Sequence, residues 1–164
     1  MKKADIETRY MHGREYPTVN IKWYGDGWVR YWRDACADHG IDPDAYDPEE
    51  LMTDDERYLA WTWVAEDQFR DAAADIRNLY QSEMGMRVDV WQDGRSGGWL
   101  IVDNLPDVET WDAIMVSRWA RAVKIVRSYL EDCDYQYAWR LAAMLADRQD
   151  DWDGSVTASR VLSR

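Results

Sequence analysis

Residues 54–83 contain no glycine and no proline, and this stretch restricts the fold more than any other part of the chain. At about 100° per residue, Tyr58, Trp61, Ala65, Phe69, Ala72, Ile76 and Leu79 fall on one stripe. The spacing predicts a long amphipathic helix that Gly85 terminates. Such a stripe must be covered, and a chain of 164 residues is long enough to cover it within one domain, read as 1–164.

The flanking sequence supplies the covering elements. Between Gly27 and His39, Trp28, Tyr31, Trp32, Ala35 and Cys36 recur at helical spacing, and Gly40 follows as a stop. Residues 41–56 hold eight acids and no base, which reads as a loop and then a helix start with carboxylates at the positive end of the dipole. After Pro106, helices are expected over about 108–131 and about 134–149. The stretch VNIKWY (19–24) reads as a short strand. Residues 1–20 and 150–164 are weakly patterned and expected to be poorly ordered.

Between the apolar runs VDVW and WLIV lies DGRSGGW (93–99), with three glycines and one arginine. A phosphate-binding loop would need Gly-Lys-Ser/Thr opening a helix, and here a strand follows. A tight hairpin connection needs positive φ, which accounts for the glycines. Residues 87–91 should therefore pair antiparallel with 99–103, with Gly97 or Gly98 at positive φ and Arg95 as the candidate contact at the tip. The expected fold class is α+β, four main helices packed with a small antiparallel hairpin or sheet.

The stretch GRSGGWL (94–100), set between two strands and followed by a helix, resembles a pattern in small bacteriophage proteins. The resemblance implies a viral accessory protein and implies no reaction. With no signal-peptide core, no apolar run near 18 residues and only two cysteines, the host cytoplasm is the expected compartment. By composition the chain is also similar to the anti-CRISPR and other anti-defence inhibitors, which are small and acidic.

The net charge of −12 argues against direct binding to nucleic acid or to an anionic membrane. Asp67, Asp71 and Asp75 lie four residues apart on the side of the long helix opposite its stripe, near Glu56. Like charges at that spacing repel. A row of this kind is either a solvated face or an imitation of a phosphate backbone that enters a partner's basic groove. Trp63 and Leu59 also project away from the stripe, as an interface core would. On the helix expected after Pro106, Arg118, Arg121 and Lys124 share a face and are expected to pair with the chain's own carboxylates. Eleven Trp and ten Tyr against one Phe imply a wide core with some aromatics at the surface.

Enzyme chemistry finds little footing. Cys36 and His39 lack a second pair of metal ligands at useful spacing. The acids near residues 42–47 and 150–153 lack the glycine and glutamate of an EF-hand loop. No nucleophile elbow or dinucleotide fingerprint is present. Two cysteines make no disulfide framework, so both are expected to be free thiols. The expected function is a non-catalytic, phage-encoded protein, without cofactor or metal, that inhibits or modulates a host protein with a basic surface. Its candidate contacts are Trp63, Asp67, Asp71, Asp75 and Arg95. A phage assembly factor with a Trp-rich homo-oligomer interface, and a small enzyme with an unrecognised site, are the open alternatives.

Overall fold

The computed structural model describes residues 1–21, 27–93 and 98–162, with side chains through 149. The class is α+β as the patterning predicts: four helices and a four-stranded antiparallel sheet. The strands are β1 (Thr8–Met11), β2 (Arg14–Asn20), β3 (Asp89–Asp93) and β4 (Trp99–Asp103), in the order β1-β2-β4-β3. The helices are α1 (Val29–His39), α2 (Pro48–Leu51), α3 (Asp54–Met84) and α4 (Ala113–Leu162).

Two compact units share this chain. The first comprises Met1–Tyr24 and Glu66–Glu131, and the second Gly25–Ala65 and Asp132–Arg164.

The first unit holds the sheet. An antiparallel hairpin is present, but its first strand is 89–93 rather than 87–91. Asp89 stands opposite Asp103, Trp91 opposite Ile101 and Asp93 opposite Trp99, so pairing continues two residues nearer the glycines and the register shifts by two. Gly98 has φ 88°, the left-handed conformation foreseen for the tip, while Arg95 falls outside the described residues. A second hairpin occupies the amino-terminal stretch expected to be poorly ordered. Met11 pairs with Arg14 across His12 (φ 52°) and Gly13 (φ 80°). Two consecutive positive φ angles are the signature of the tight turn that matches strand twist. Consecutive residues of the central strands are buried, Tyr16 to Val19 in β2 and Leu100 to Val102 in β4, so both sheet faces are covered there. On one face, Phe69 and Ala73 of α3 line a groove together with Val90 and Leu100. On the other, Thr18 and Ile101 are flanked by an edge contact of Tyr16 with Trp91, and by Arg9 over Trp99 and Arg14 over Tyr16.

The second unit is helical and aromatic. Tyr137 of α4 meets Trp28 and Trp61 edge-on at 6.1 Å and 5.6 Å, and Trp28 meets Trp32 at 5.7 Å. Asp47 caps α2 through the Glu49 N–H. Thr53 and Glu56 bond each other's main-chain N–H groups, a capping box that fixes where α3 begins.

Four expectations about the helices need correction. Tyr58 lies on the predicted stripe but is 58% exposed, whereas Trp61, Ala65, Phe69, Ala72, Ile76 and Leu79 are buried. Helix α4 starts at Ala113 because the Asp112 carboxylate accepts the Met115 N–H, and a 3-10 turn occupies Val108–Thr110. The two helices expected at 108–131 and 134–149 are one. Glu131, Asp132 and Asp134 neither remove a main-chain donor nor require positive φ, and Cys133 and Tyr137 bury the same face as the residues around them. The α4 backbone also continues to Leu162, through a stretch expected to lack order. Among the described residues no helix is long and apolar enough to cross a membrane.

Gly40 ends α1 at φ 68°, with its N–H on the Ala37 carbonyl and the Ile41 N–H on the Cys36 carbonyl. Space is open where a Cβ would sit, so only the backbone conformation resists a side chain. Gly40→Ala should cost about 1–2 kcal/mol, read as a lower urea midpoint with an unchanged slope. An unchanged midpoint would show that α1 ends otherwise.

Candidate partner-binding surface

Helix α3 presents the acidic row as its sequence predicts. Asp67, Asp71 and Asp75 are exposed in the first unit, one per helical turn. The structure adds partners that periodicity could not reveal. Arg70 donates to Asp67 at 2.8 Å, and Tyr129 of α4 donates its hydroxyl to Asp75 at 2.5 Å. Asp71 forms no ion pair among the described residues. The row is thus graded, with a bare carboxylate between two that each accept a donor. Both pairs are solvent-facing, so they relieve little of the repulsion. Glu56 is drawn instead to Arg148 in the second unit and to the Thr53 capping box.

Trp63 is 58% exposed in the second unit, as expected, together with Tyr58 and Leu59. Its ring is not loose. The Arg140 guanidinium of α4 stacks 3.6 Å from the ring centroid, and such a pair holds an indole in place at a wet surface. The sequence offered no signal for this contact, because the two residues belong to different helices. Of the exposed large apolar side chains described, Val29, Leu51, Tyr58, Leu59, Trp63, Tyr135 and Trp139 belong to the second unit and only Met1, Tyr10 and Ile114 to the first. Apolar surface is therefore concentrated in the helical unit.

The basic face of α4 behaves as expected where carboxylates are in reach. Arg118 and Arg121 both bind Glu83 near the end of α3. Cys36 and His39 diverge. Cys36 is fully buried, while the His39 ring packs on Trp139 at 4.4 Å.

Burial sets the chemistry of the thiols. Desolvation first, and the Asp42 carboxylate second, push the Cys36 thiol up to about 11. Desolvation, then Asp134 and Asp132, push Cys133 up to about 12. Both are free. At neutral pH neither presents a thiolate, so neither is a nucleophile. A folded pKa above the unfolded value stabilises the fold fully below the unfolded pKa, and that contribution is lost as pH rises towards the folded one. The chain should therefore resist a disulfide reagent at pH 8 until unfolded and then expose two thiols, and its urea midpoint should fall between pH 9 and 11. Native labelling at pH 8 would contradict this burial.

No protein-family model, no curated protein and no solved structure matches this chain, so its functional reading rests on the surfaces described above.

Proposed function

We propose that this chain is a non-catalytic binding protein whose acidic α3 face docks on a basic surface of a partner protein and blocks it by imitating nucleic acid. One observation carries the reading. Asp67, Asp71 and Asp75 stand exposed at four-residue spacing, about 6 Å apart along the helix, with Asp71 unpaired among the described residues. Repulsion in this register costs a few tenths of a kcal/mol per pair. A solvated face could use glutamine there without that cost. The net charge of −12 adds a long-range field that favours encounter with a cationic groove. The likeness of GRSGGWL to small phage proteins supports a host protein as the target, and the small, acidic composition, similar to that of anti-defence inhibitors, supports one of the anti-phage defence class.

A second reading has its own observation, the apolar side chains concentrated on the second unit. There Trp63, held by Arg140 beside exposed Leu59, has the make-up of an interface anchor, since Trp and Arg dominate binding energy where they are preorganised. On this reading the unit joins copies of the chain, as an assembly factor would.

The two readings separate by experiment. Changing Asp67, Asp71 and Asp75 together to Asn should leave stability within about 0.5 kcal/mol. It should slow association with a basic partner roughly tenfold at low salt and very little at high salt. Unchanged capture and rates would end the mimicry reading. For self-association, sedimentation velocity over a concentration series should show growth that Trp63→Ala abolishes. A monomer at every concentration removes the oligomer reading and leaves the first untouched.

A further inference from the structure

β3 has β4 on one side and no strand on the other among the described residues. Which of its main-chain groups face outward follows from the ladder. The Ile21 N–H donates to the Gly98 carbonyl at 2.8 Å, so alternate residues Gly98, Leu100 and Val102 turn their polar groups towards β2. Trp99, Ile101 and Asp103 then bond β3 through Asp93, Trp91 and Asp89, and the main-chain groups of Val90 and Gln92 face the open side. The Val90 N–H agrees, since its acceptor is the carboxylate of its neighbour Asp89 at 3.0 Å rather than a carbonyl of β4. An unpaired edge of this kind is a template for another strand.

The edge is not flat. Beside it runs a groove of about 270 Å³ within the first unit, walled by α3 and floored by Phe69, Ala73, Val90 and Leu100. Arg70 and Arg77 stand exposed on its α3 wall, and Glu66 closes the end beyond Arg70. Arg77 makes no ion pair among the described residues, and Arg70 makes one, through a single nitrogen to Asp67. In a chain with 32 acids, a cation left without one is a conspicuous local charge.

We infer that this groove is a docking site for an extended acidic peptide of a partner protein, which adds a strand to β3 and presents the pattern acid–x–apolar–x–acid to α3. The dimensions set the pattern. Arg70 and Arg77 are seven residues apart, about 10 Å along the helix. Alternate side chains of a strand are about 7 Å apart, so three of them span about 14 Å. The long arginine side chains close the difference. Ala73, midway between the arginines, is small and leaves room for the central apolar side chain. Main-chain bonds to Val90 and Gln92 supply affinity whatever the sequence, and the arginines choose the acids. The Asp89 carboxylate yields the Val90 N–H to the incoming carbonyl.

A second copy of β3 fits worse. Antiparallel pairing centred on Trp91 sets Asp89 of one chain against Asp93 of the other, twice, and like charges directly opposite are destabilising. The acidic peptide suits the charge of the groove wall, and this inference stands on different residues from the acidic-row reading.

The test is a nitrogen-15 NMR titration of the full chain with the acetylated, amidated pentapeptide Asp-Thr-Leu-Thr-Asp. The Val90 and Gln92 amides should shift, and exchange at both should slow. Arg77→Gln should weaken binding at least fivefold and the Arg70→Gln, Arg77→Gln pair at least twentyfold, with Arg77→Lys recovering part of the loss. Both arginines are exposed, so the variants keep the fold. The same peptide with lysine for aspartate, or with its main-chain amides N-methylated, should fail to bind. Several outcomes overturn the inference: no binding at millimolar peptide, equal affinity of the arginine variants, or shifts elsewhere than Val90 and Gln92. Concentration-dependent protection of those amides without peptide would also overturn it, assigning the edge to a second copy.

Discussion

Helix α3 buries Phe69, Ala72, Ala73, Ile76, Leu79 and Tyr80 in the first unit, and that arc decides what its remaining circumference can do. Four of the six are small or planar, and on the sheet side Phe69 and Ala73 line one groove with Val90 and Leu100. With that arc fixed, geometry leaves no freedom elsewhere. Glu66, Arg70 and Arg77 are carried to the flank beside β3, and Asp67, Asp71 and Asp75 to the exposed side beyond. The surface chemistry of the unit is a consequence of its packing.

The features legible in the sequence were those set by one element at a time. The stripe of α3, the β3–β4 hairpin and the left-handed Gly98 all follow from period and from the φ that a tight turn demands. Tyr58 broke the pattern because periodicity states which side a residue is on and not whether anything lies opposite. The β1–β2 hairpin was missed because His12-Gly13 is a less familiar pair than Asn-Gly, although it adopts the same two positive φ angles. The union of two expected helices into α4 was missed because acids at 131, 132 and 134 imitate a new first turn. The stacking of Arg140 on Trp63 and the groove beside β3 were not legible at all. Each exists only where two elements meet.

The charge excess also reads differently in three dimensions. Its arginines are not spread evenly among its acids. Glu83 alone engages Arg118 and Arg121, while Asp54 and Arg57, Arg33 and Asp44, and Arg9 and Asp93 form separate pairs. Most of these are exposed enough that each adds little stability. Their larger effect is to determine which charges remain unpaired. Asp71 on one side of α3 and Arg77 on the other are among the charges that pairing leaves over in the described residues. On the two proposed readings, the same helix would present surfaces of opposite sign at two distinct places.

Arg70 connects these two places. Its guanidinium holds Asp67, the first carboxylate of the acidic row, and also stands on the wall of the groove. An acid entering the groove competes with Asp67 for that guanidinium, and whatever it takes from the pair is returned to the row as uncompensated negative charge. Linkage then requires the reverse: a cation bound at the row that draws Asp67 away leaves Arg70 freer for the groove. The coupling is positive in both directions, and it is small, because the pair is exposed at both ends. It also has a sign that separates the two surfaces. If both proposed surfaces bind, Asp67→Asn should weaken the row and strengthen the groove, so a single substitution should move the two affinities in opposite directions, as no general loss of folding could.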